Sequence, residues 1–93
     1  MFVGTVRIEL HLPAATSLKD KRSIVRGLKD RIRQRVHAAV AEVDHQDLWQ
    51  RAALGVAVVS GEARQVGEML QSVRNLVEST FGAELLDWQE QLH

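Results

Sequence analysis

Residues 5–12 alternate between polar and apolar side chains. Val6, Ile8 and Leu10 are separated from one another by Arg7 and Glu9. Because successive side chains of a strand point to opposite faces, this pattern predicts a strand with one apolar face and one polar face.

A helix is predicted next, from Leu18 to about Val36. Ser17 and Asp20 have the spacing of a capping box with a shorter acid than usual. The apolar positions that follow recur every three or four residues and form one stripe: Leu18, Val25, Leu28, Ile32 and Val36. Such a stripe is typical of a helix that lies on a sheet.

The remaining pattern predicts two strands, a second helix and a last strand. Residues 37–44 and 53–59 are rich in Ala and Val, and the polar residues 45–50 between them indicate a loop joining antiparallel strands. A second apolar stripe runs at helical spacing over residues 66–77 and ends before Phe81 and Gly82. Residues 85–92 alternate well enough for a final strand.

The order strand, helix, strand, strand, helix, strand within 93 residues predicts a ferredoxin-like α+β fold. This is a two-layer sandwich with a four-stranded antiparallel sheet and, because the crossovers are right-handed, both helices on one face. A chain of this length has room for one core, so residues 1–93 are expected to form a single domain. The other face of the sheet is expected to be bare, apolar and covered by a partner.

Composition narrows the classes of protein. Hydrophobic residues make up 45% of the chain and charged residues 26%, which fits a chain that is folded throughout. There is no long apolar run, and there are no cysteines, which excludes disulfides, thiolate metal sites and a cysteine nucleophile. We expect a cytoplasmic protein with no membrane association.

The charges cancel overall but are unevenly distributed. Residues 1–36 contain nine basic and three acidic residues, and residues 37–93 contain three and nine. Within the first helix, five cations follow spacings of 3, 4, 3 and 4 and form one row, predicted to lie opposite the apolar stripe: Lys19, Arg22, Arg26, Lys29 and Arg33. We call this row the basic ridge. Neighbouring like charges at these spacings each cost about 0.2–0.5 kcal/mol, so the ridge is a candidate contact for phosphates or an acidic partner.

Two segments carry a family resemblance: SLKDKRS at residues 17–23 and AEVDHQDLWQRA at residues 41–52. Together they resemble the YlxP-like family of small bacterial proteins. The resemblance implies a ferredoxin-like fold and a cytoplasmic bacterial protein, often encoded near genes for translation and ribosome maturation. It implies no activity and no catalytic residues.

Motifs for catalysis and cofactor binding are absent from the sequence. No serine lies in a Gly-x-Ser-x-Gly setting, and no Walker or Gly-x-Gly-x-x-Gly loop occurs. Glu42, Asp44, His45 and Asp47 are close in sequence, but neighbouring strand residues point to opposite faces and do not converge on a metal. We therefore expect that the protein is not an enzyme and that it has no metal site and no small-molecule cofactor. A catalytic use of Asp44, His45 and Asp47 across an oligomer interface remains a weaker alternative.

The sequence favours a non-enzymatic binding module whose basic ridge contacts RNA or a ribosomal surface. Trp49, in the polar loop, is a candidate partner contact. Base stacking on the sheet is not expected, because the two central strands offer no aromatic side chain. The alternative is a homo-oligomer, a dimer by preference, that associates through the open sheet face and has no nucleic-acid role.

Overall fold

The computed structural model describes all 93 residues. The elements follow the predicted order: β1 (Phe2–His11), α1 (Leu18–Val36), β2 (Ala39–Asp44), β3 (Arg51–Ser60), α2 (Ala63–Glu78) and β4 (Glu84–Leu92). The four strands form one antiparallel sheet in the order β2-β3-β1-β4. This is the ferredoxin-like topology, so the prediction of the fold is confirmed.

Strand β1 lies at the centre of the sheet and is paired on both sides. Its even-numbered residues from Gly4 to Leu10 are buried under the helices, and Ile8 and Leu10 have no exposed surface. Val6 lies opposite Val56 on β3, and Ile8 lies opposite Leu54, so the apolar residues of the two strands share a face. The alternation in the sequence therefore corresponds to the boundary between the core and the open face.

The first helix begins and ends where the sequence indicates. The Ser17 hydroxyl accepts a hydrogen bond from the Asp20 backbone N–H at 3.0 Å, which confirms the predicted cap. The helix ends at His37, whose φ of 53° is left-handed and whose N–H donates to the Arg33 carbonyl. Its buried positions include four of the five stripe residues, together with a lysine, Lys21.

The second helix contains the whole predicted apolar stripe of residues 66–77. It ends at Glu78, before Phe81 and Gly82, and its first residue is preceded by Glu62, whose side chain makes no capping hydrogen bond. The Ser60 hydroxyl instead accepts from the Glu62 N–H, outside the helix. The stripe of α2 joins that of α1 in a single core of 18 buried residues between the helices and the sheet.

Two bulges change which side chains share a face. One interrupts the pairing of β1 with β4 between Glu9 and Leu10, and the other interrupts the pairing of β2 with β3 between Glu42 and Asp44. A bulge adds a residue to one strand and reverses the alternation beyond it. Glu42 and Asp44 would share a face in a regular strand but here point to opposite faces of the sheet.

Neither helix combines the length and apolar character needed to cross a bilayer.

Gly4 allows α2 to lie close to β1, and this generates a test of the packing. A Cβ atom at Gly4 would come within 2.3 Å of Val66 Cγ1 and 3.1 Å of Leu70 Cδ1. We expect Gly4→Ala to lower the free energy of unfolding by about 1–3 kcal/mol, because the helix must shift to relieve the overlap. Urea unfolding followed by circular dichroism measures the change.

The matched control is Gly67→Ala, in α2, where a Cβ atom would contact nothing within 4 Å. Alanine is a better helix former than glycine, so this variant is expected to gain up to about 1 kcal/mol. Equal stability of the two variants would contradict the close approach at Gly4.

Candidate functional site

The two helices carry very different charge. Helix α1 contains eight basic and two acidic residues, whereas α2 contains two of each. Both arginines of α2 pair with a glutamate one turn later, Arg64 with Glu68 at 3.1 Å and Arg74 with Glu78 at 2.7 Å. Most cations of α1 have no carboxylate within 4 Å. Of the basic ridge, only Arg33 has one, at 3.8 Å from Asp30.

The basic ridge lies beside the buried stripe and not opposite it, which corrects the predicted orientation. At about 100° per residue, the ridge is centred roughly a quarter turn from the buried positions. The Arg33 guanidinium donates to the Val40 carbonyl on β2 at 2.9 Å, so this flank of α1 faces the sheet edge formed by β2. The side of α1 farthest from the core carries small and polar residues instead: Ser23, Gly27, Asp30 and Gln34.

Three of the five ridge cations are exposed and have no carboxylate partner, and we call these three the free part of the ridge. Lys19, Arg22 and Arg26 are exposed and, with Ser23, line one surface recess. Lys29 is half-buried, and Arg33 is engaged with β2. The part of the ridge available to a partner therefore lies in the N-terminal half of α1.

Lys21, a charged residue of the first helix, is buried on the side of α1 that packs on the core. Its side chain is 1% exposed, its Nζ lies 2.7 Å from Glu42 Oε2, and it donates to the His45 carbonyl. A buried ammonium needs both a counter-ion and hydrogen-bond acceptors, and this site supplies both. The interaction fastens the start of the β2–β3 loop to the first turns of α1.

The other end of the β2–β3 loop is fastened to the same region. The Gln50 carbonyl accepts from the Leu12 N–H at 2.9 Å, and the Gln50 amide donates to the carbonyls of Pro13 and Ala15 at 3.2 and 3.3 Å. Within the loop, the Leu48 N–H also donates to the His45 carbonyl. His45 has a φ of 63°, in the left-handed region that a non-glycine residue adopts only when its surroundings hold it there.

Trp49 projects from this fastened loop. Its side chain is 52% exposed, and that of the neighbouring Leu48 is 48% exposed. Trp88, the other tryptophan, packs against the core, lies under the Arg74 guanidinium and donates its indole N–H to Glu90 at 2.8 Å. Of the two tryptophans, Trp49 is therefore the more exposed.

The open sheet face is partly charged, so the expectation of a bare apolar face is wrong. Glu9, with a side chain 15% exposed, accepts from Arg7 at 2.9 Å and Arg51 at 3.0 Å, and lies 3.1 Å from His45 Nε2. Arg7 also reaches Asp44 at 3.2 Å. These residues form what we call the Glu9 cluster. The polar side chains of β1 on this face therefore form ion pairs and hydrogen bonds with side chains of the neighbouring strands and loop.

The rest of the open face is a groove of about 740 Å³. Its floor consists of small side chains on β2 and β3, and Thr5 and two glutamines of β4 form the opposite wall. The floor residues are Ala39, Ala41, Gly55 and Ala57. No aromatic ring lines it, which agrees with the sequence argument against base stacking on the sheet.

The acidic residues singled out in the sequence do not converge. Glu42 pairs with Lys21 under the helices, and Asp44 pairs with Arg7 on the open face. No group of three His, Cys, Asp or Glu side chains is placed to hold a metal ion. Glu9, which lies 3.1 Å from His45 and accepts from Arg51, was missed, and the only sequence signal was the polar alternation of β1.

The buried lysine is testable by substitution. We expect Lys21→Ala to lower the free energy of unfolding by about 3 kcal/mol, because Glu42 loses its counter-ion and the His45 carbonyl loses a donor. Lys21→Met keeps an apolar side chain of similar length and should lose less stability than Lys21→Ala. The difference between the two variants measures the contribution of packing, and the loss that remains in Lys21→Met measures that of the charge. Arg22→Ala, an exposed neighbour, should change stability by less than about 0.5 kcal/mol. A loss below about 1 kcal/mol for Lys21→Ala would contradict the interpretation.

The Glu9 cluster predicts a pH dependence of stability. Burial raises the pKa of Glu9, but hydrogen bonds from Arg51 and Arg7 and the neighbouring His45 outweigh it, so the pKa lies below its usual 4.5. A carboxylate with a lowered pKa in the folded state contributes stability above its unfolded pKa and loses it as the pH falls through the folded value. We expect the wild type to lose this contribution as the pH falls below about 4.5, and Glu9→Gln to lack it.

Urea unfolding between pH 7 and pH 3 gives the measurement, as the difference between wild type and variant at each pH. Asp47→Asn, in the exposed loop, is the control and should keep the wild-type profile. The idea fails if Glu9→Gln and the wild type lose stability in parallel.

Comparison with known proteins identifies the family to which this chain belongs. Residues 3–90 match the model of a family described as "Protein of unknown function (DUF503)". The chain is 31% identical over 77 residues to "Uncharacterized protein YlxP" of Bacillus subtilis (strain 168), a match that covers 83% of this chain and 84% of that protein.

Similar solved structures include two designed proteins. One is a de novo designed protein with a ferredoxin fold, solved by NMR, with a TM-score of 0.57 and 12% identity over all of this chain and 84% of that one. The other, the designed protein Ferredog-Diesel, has a TM-score of 0.51 and 11% identity over 96% and 83% of the two chains. At such identities the likeness concerns the fold alone. The resemblance to the YlxP-like proteins is confirmed, and the family match and the Bacillus relative, each over most of the sequence, establish that this chain belongs to the DUF503 family.

Proposed function

We propose that this protein is a non-enzymatic cytoplasmic module that binds the phosphate backbone of RNA along the basic ridge of α1. The observation that carries the proposal is the contrast between the two helices. Both helices lie in one layer on the same sheet face, yet α2 pairs its charges internally and the ridge leaves Lys19, Arg22 and Arg26 without a carboxylate partner. On α1 the one ion pair between residues about a turn apart is Arg33 with Asp30, at 3.8 Å, and it lies outside the free part of the ridge.

The unpaired ridge has an energetic cost that binding would offset. Each of its four neighbouring like-charge pairs opposes helix formation by about 0.2–0.5 kcal/mol. Lys19 adds to this, because a cation in the first turn opposes the helix dipole. Phosphates along a nucleic-acid backbone would neutralise these cations and release counter-ions, which favours binding.

The same structure limits the mode of binding. The chain is neutral overall, so its positive field is local to one flank of α1. The open sheet face presents Arg7, Gly55 and Ala57 on its central strands and no aromatic ring. RNA is therefore expected on the helix side at the β2 edge, and not on the sheet as in modules that stack bases there.

Self-association through the open sheet face is the second candidate and has less support. The groove provides a concave surface, but the Glu9 cluster beside it already pairs its charges within one chain. A dimer formed through that face would leave both helices on its outer surface, so the basic ridge would stay accessible to RNA. An enzymatic role for Asp44, His45 and Asp47 is not favoured, because Asp44 is paired with Arg7, His45 lies against Glu9, and no group of three His, Cys, Asp or Glu side chains converges.

The test is binding of a fluorescently labelled oligouridylate, followed by anisotropy over a series of salt concentrations. Three to five phosphate contacts predict a slope of log K against log salt of about −2 to −3.5, from roughly 0.7 per contact on a single strand. Arg22→Glu with Arg26→Glu should abolish binding at moderate salt.

The matched control is Arg35→Glu with Arg64→Glu, which removes the same net charge away from the ridge. This control is expected to keep most of the affinity. Salt-insensitive binding, or equal losses in the two double variants, would overturn the proposal.

A further inference from the structure

The β2–β3 loop and the free part of the basic ridge lie at the same end of the molecule. Lys21, which holds the start of the loop through the His45 carbonyl, belongs to the same helical turn as Lys19 and Arg22. The ridge flank of α1 also faces β2, the strand from which the loop continues. The loop therefore leaves the sheet edge beside the ridge.

The loop is held rigidly and nevertheless exposes its largest side chain. Its two ends are fastened at His45 and Gln50, and a backbone hydrogen bond from Leu48 closes the turn between them. Trp49 lies inside these anchors and is 52% exposed. Since the anchors are made by other residues, the indole ring contributes little to holding the loop. An aromatic ring on a preorganised loop binds with a smaller entropic cost than one on a mobile loop.

We propose that Trp49 stacks on an unpaired base while Lys19 and Arg22 contact phosphates of the same strand, so that the preferred ligand is single-stranded nucleic acid. This inference rests on the proposed function and refines it. Proteins that bind single strands without sequence preference combine a cationic track with aromatic rings, because every base has a face on which a ring can stack. Bases within a duplex are already stacked and do not offer that face.

The experiment uses Trp88→Phe as the background, so that Trp49 is the only tryptophan. Phenylalanine keeps an aromatic ring under Arg74, although it is smaller and cannot make the hydrogen bond to Glu90. Three probes are titrated: an oligouridylate, a duplex RNA of equal charge and heparin, a polyanion without bases. We expect the oligouridylate to quench Trp49 fluorescence with the same saturation curve as anisotropy, and heparin to compete for binding without an equal quench.

Substitution of Trp49 measures its contribution. One stacked base is worth about 1–3 kcal/mol, so Trp49→Ala should weaken oligouridylate binding roughly 5- to 150-fold. Heparin and duplex affinities should stay within about twofold, and Trp49→Phe should restore most of the single-strand affinity. Leu48→Ala is the control for loss of exposed apolar surface in the same loop.

Each outcome separates the two proposals. Salt-dependent oligouridylate binding that is unchanged in Trp49→Ala overturns the stacking inference and leaves the phosphate-binding ridge in place. Equal quenching by heparin, or equal or tighter binding of the duplex, also overturns the inference alone. Failure to bind any of the three polyanions at low salt overturns the proposed function and the inference together.

Discussion

The structure depends on the two-sided pairing of β1. This strand is hydrogen-bonded to β3 on one side and β4 on the other, and its even-numbered side chains form the floor of the core. Both crossover helices must cover that floor, because fully apolar residues such as Ile8 and Leu10 would otherwise meet water. Once both helices occupy one face, the odd-numbered side chains of β1 are left on a surface that the chain does not cover.

The open sheet face and the β2 flank of α1 differ in how their charged side chains are paired. On the open sheet face, Arg7 and Glu9 lie among small residues of β3, which leave room for Arg51 and His45 to reach the same carboxylate. Charge there is neutralised within the chain. On the β2 flank of α1, only Arg33 finds acceptors, and the cations of the first turns face solvent. The exposed cations of the ridge therefore differ from those of the open sheet face, which are paired within the chain.

Lys21 connects the core with this charged region. Its side chain is buried, and its ammonium group reaches both the Glu42 carboxylate and the His45 carbonyl. The β-bulge near Val43 is what makes this possible, because it turns Glu42 toward the helices and Asp44 toward the open face. The position of the loop that bears Trp49 follows from the same contact.

The sequence by itself determined the fold and the composition of the ridge. Alternation over β1, the cap at Ser17 and the helical stripes are local patterns, and local geometry converts each of them directly into an element. The bulges, the burial of Lys21 and the Glu9 cluster depend on which residues of different strands and helices come opposite one another, and no local pattern specifies that. The direction of the ridge relative to β2 was decided in the same way, by the packing of α1 on the sheet. A helix with the same apolar stripe can pack over the edge of a sheet or over its centre, and the sequence of the helix does not distinguish the two.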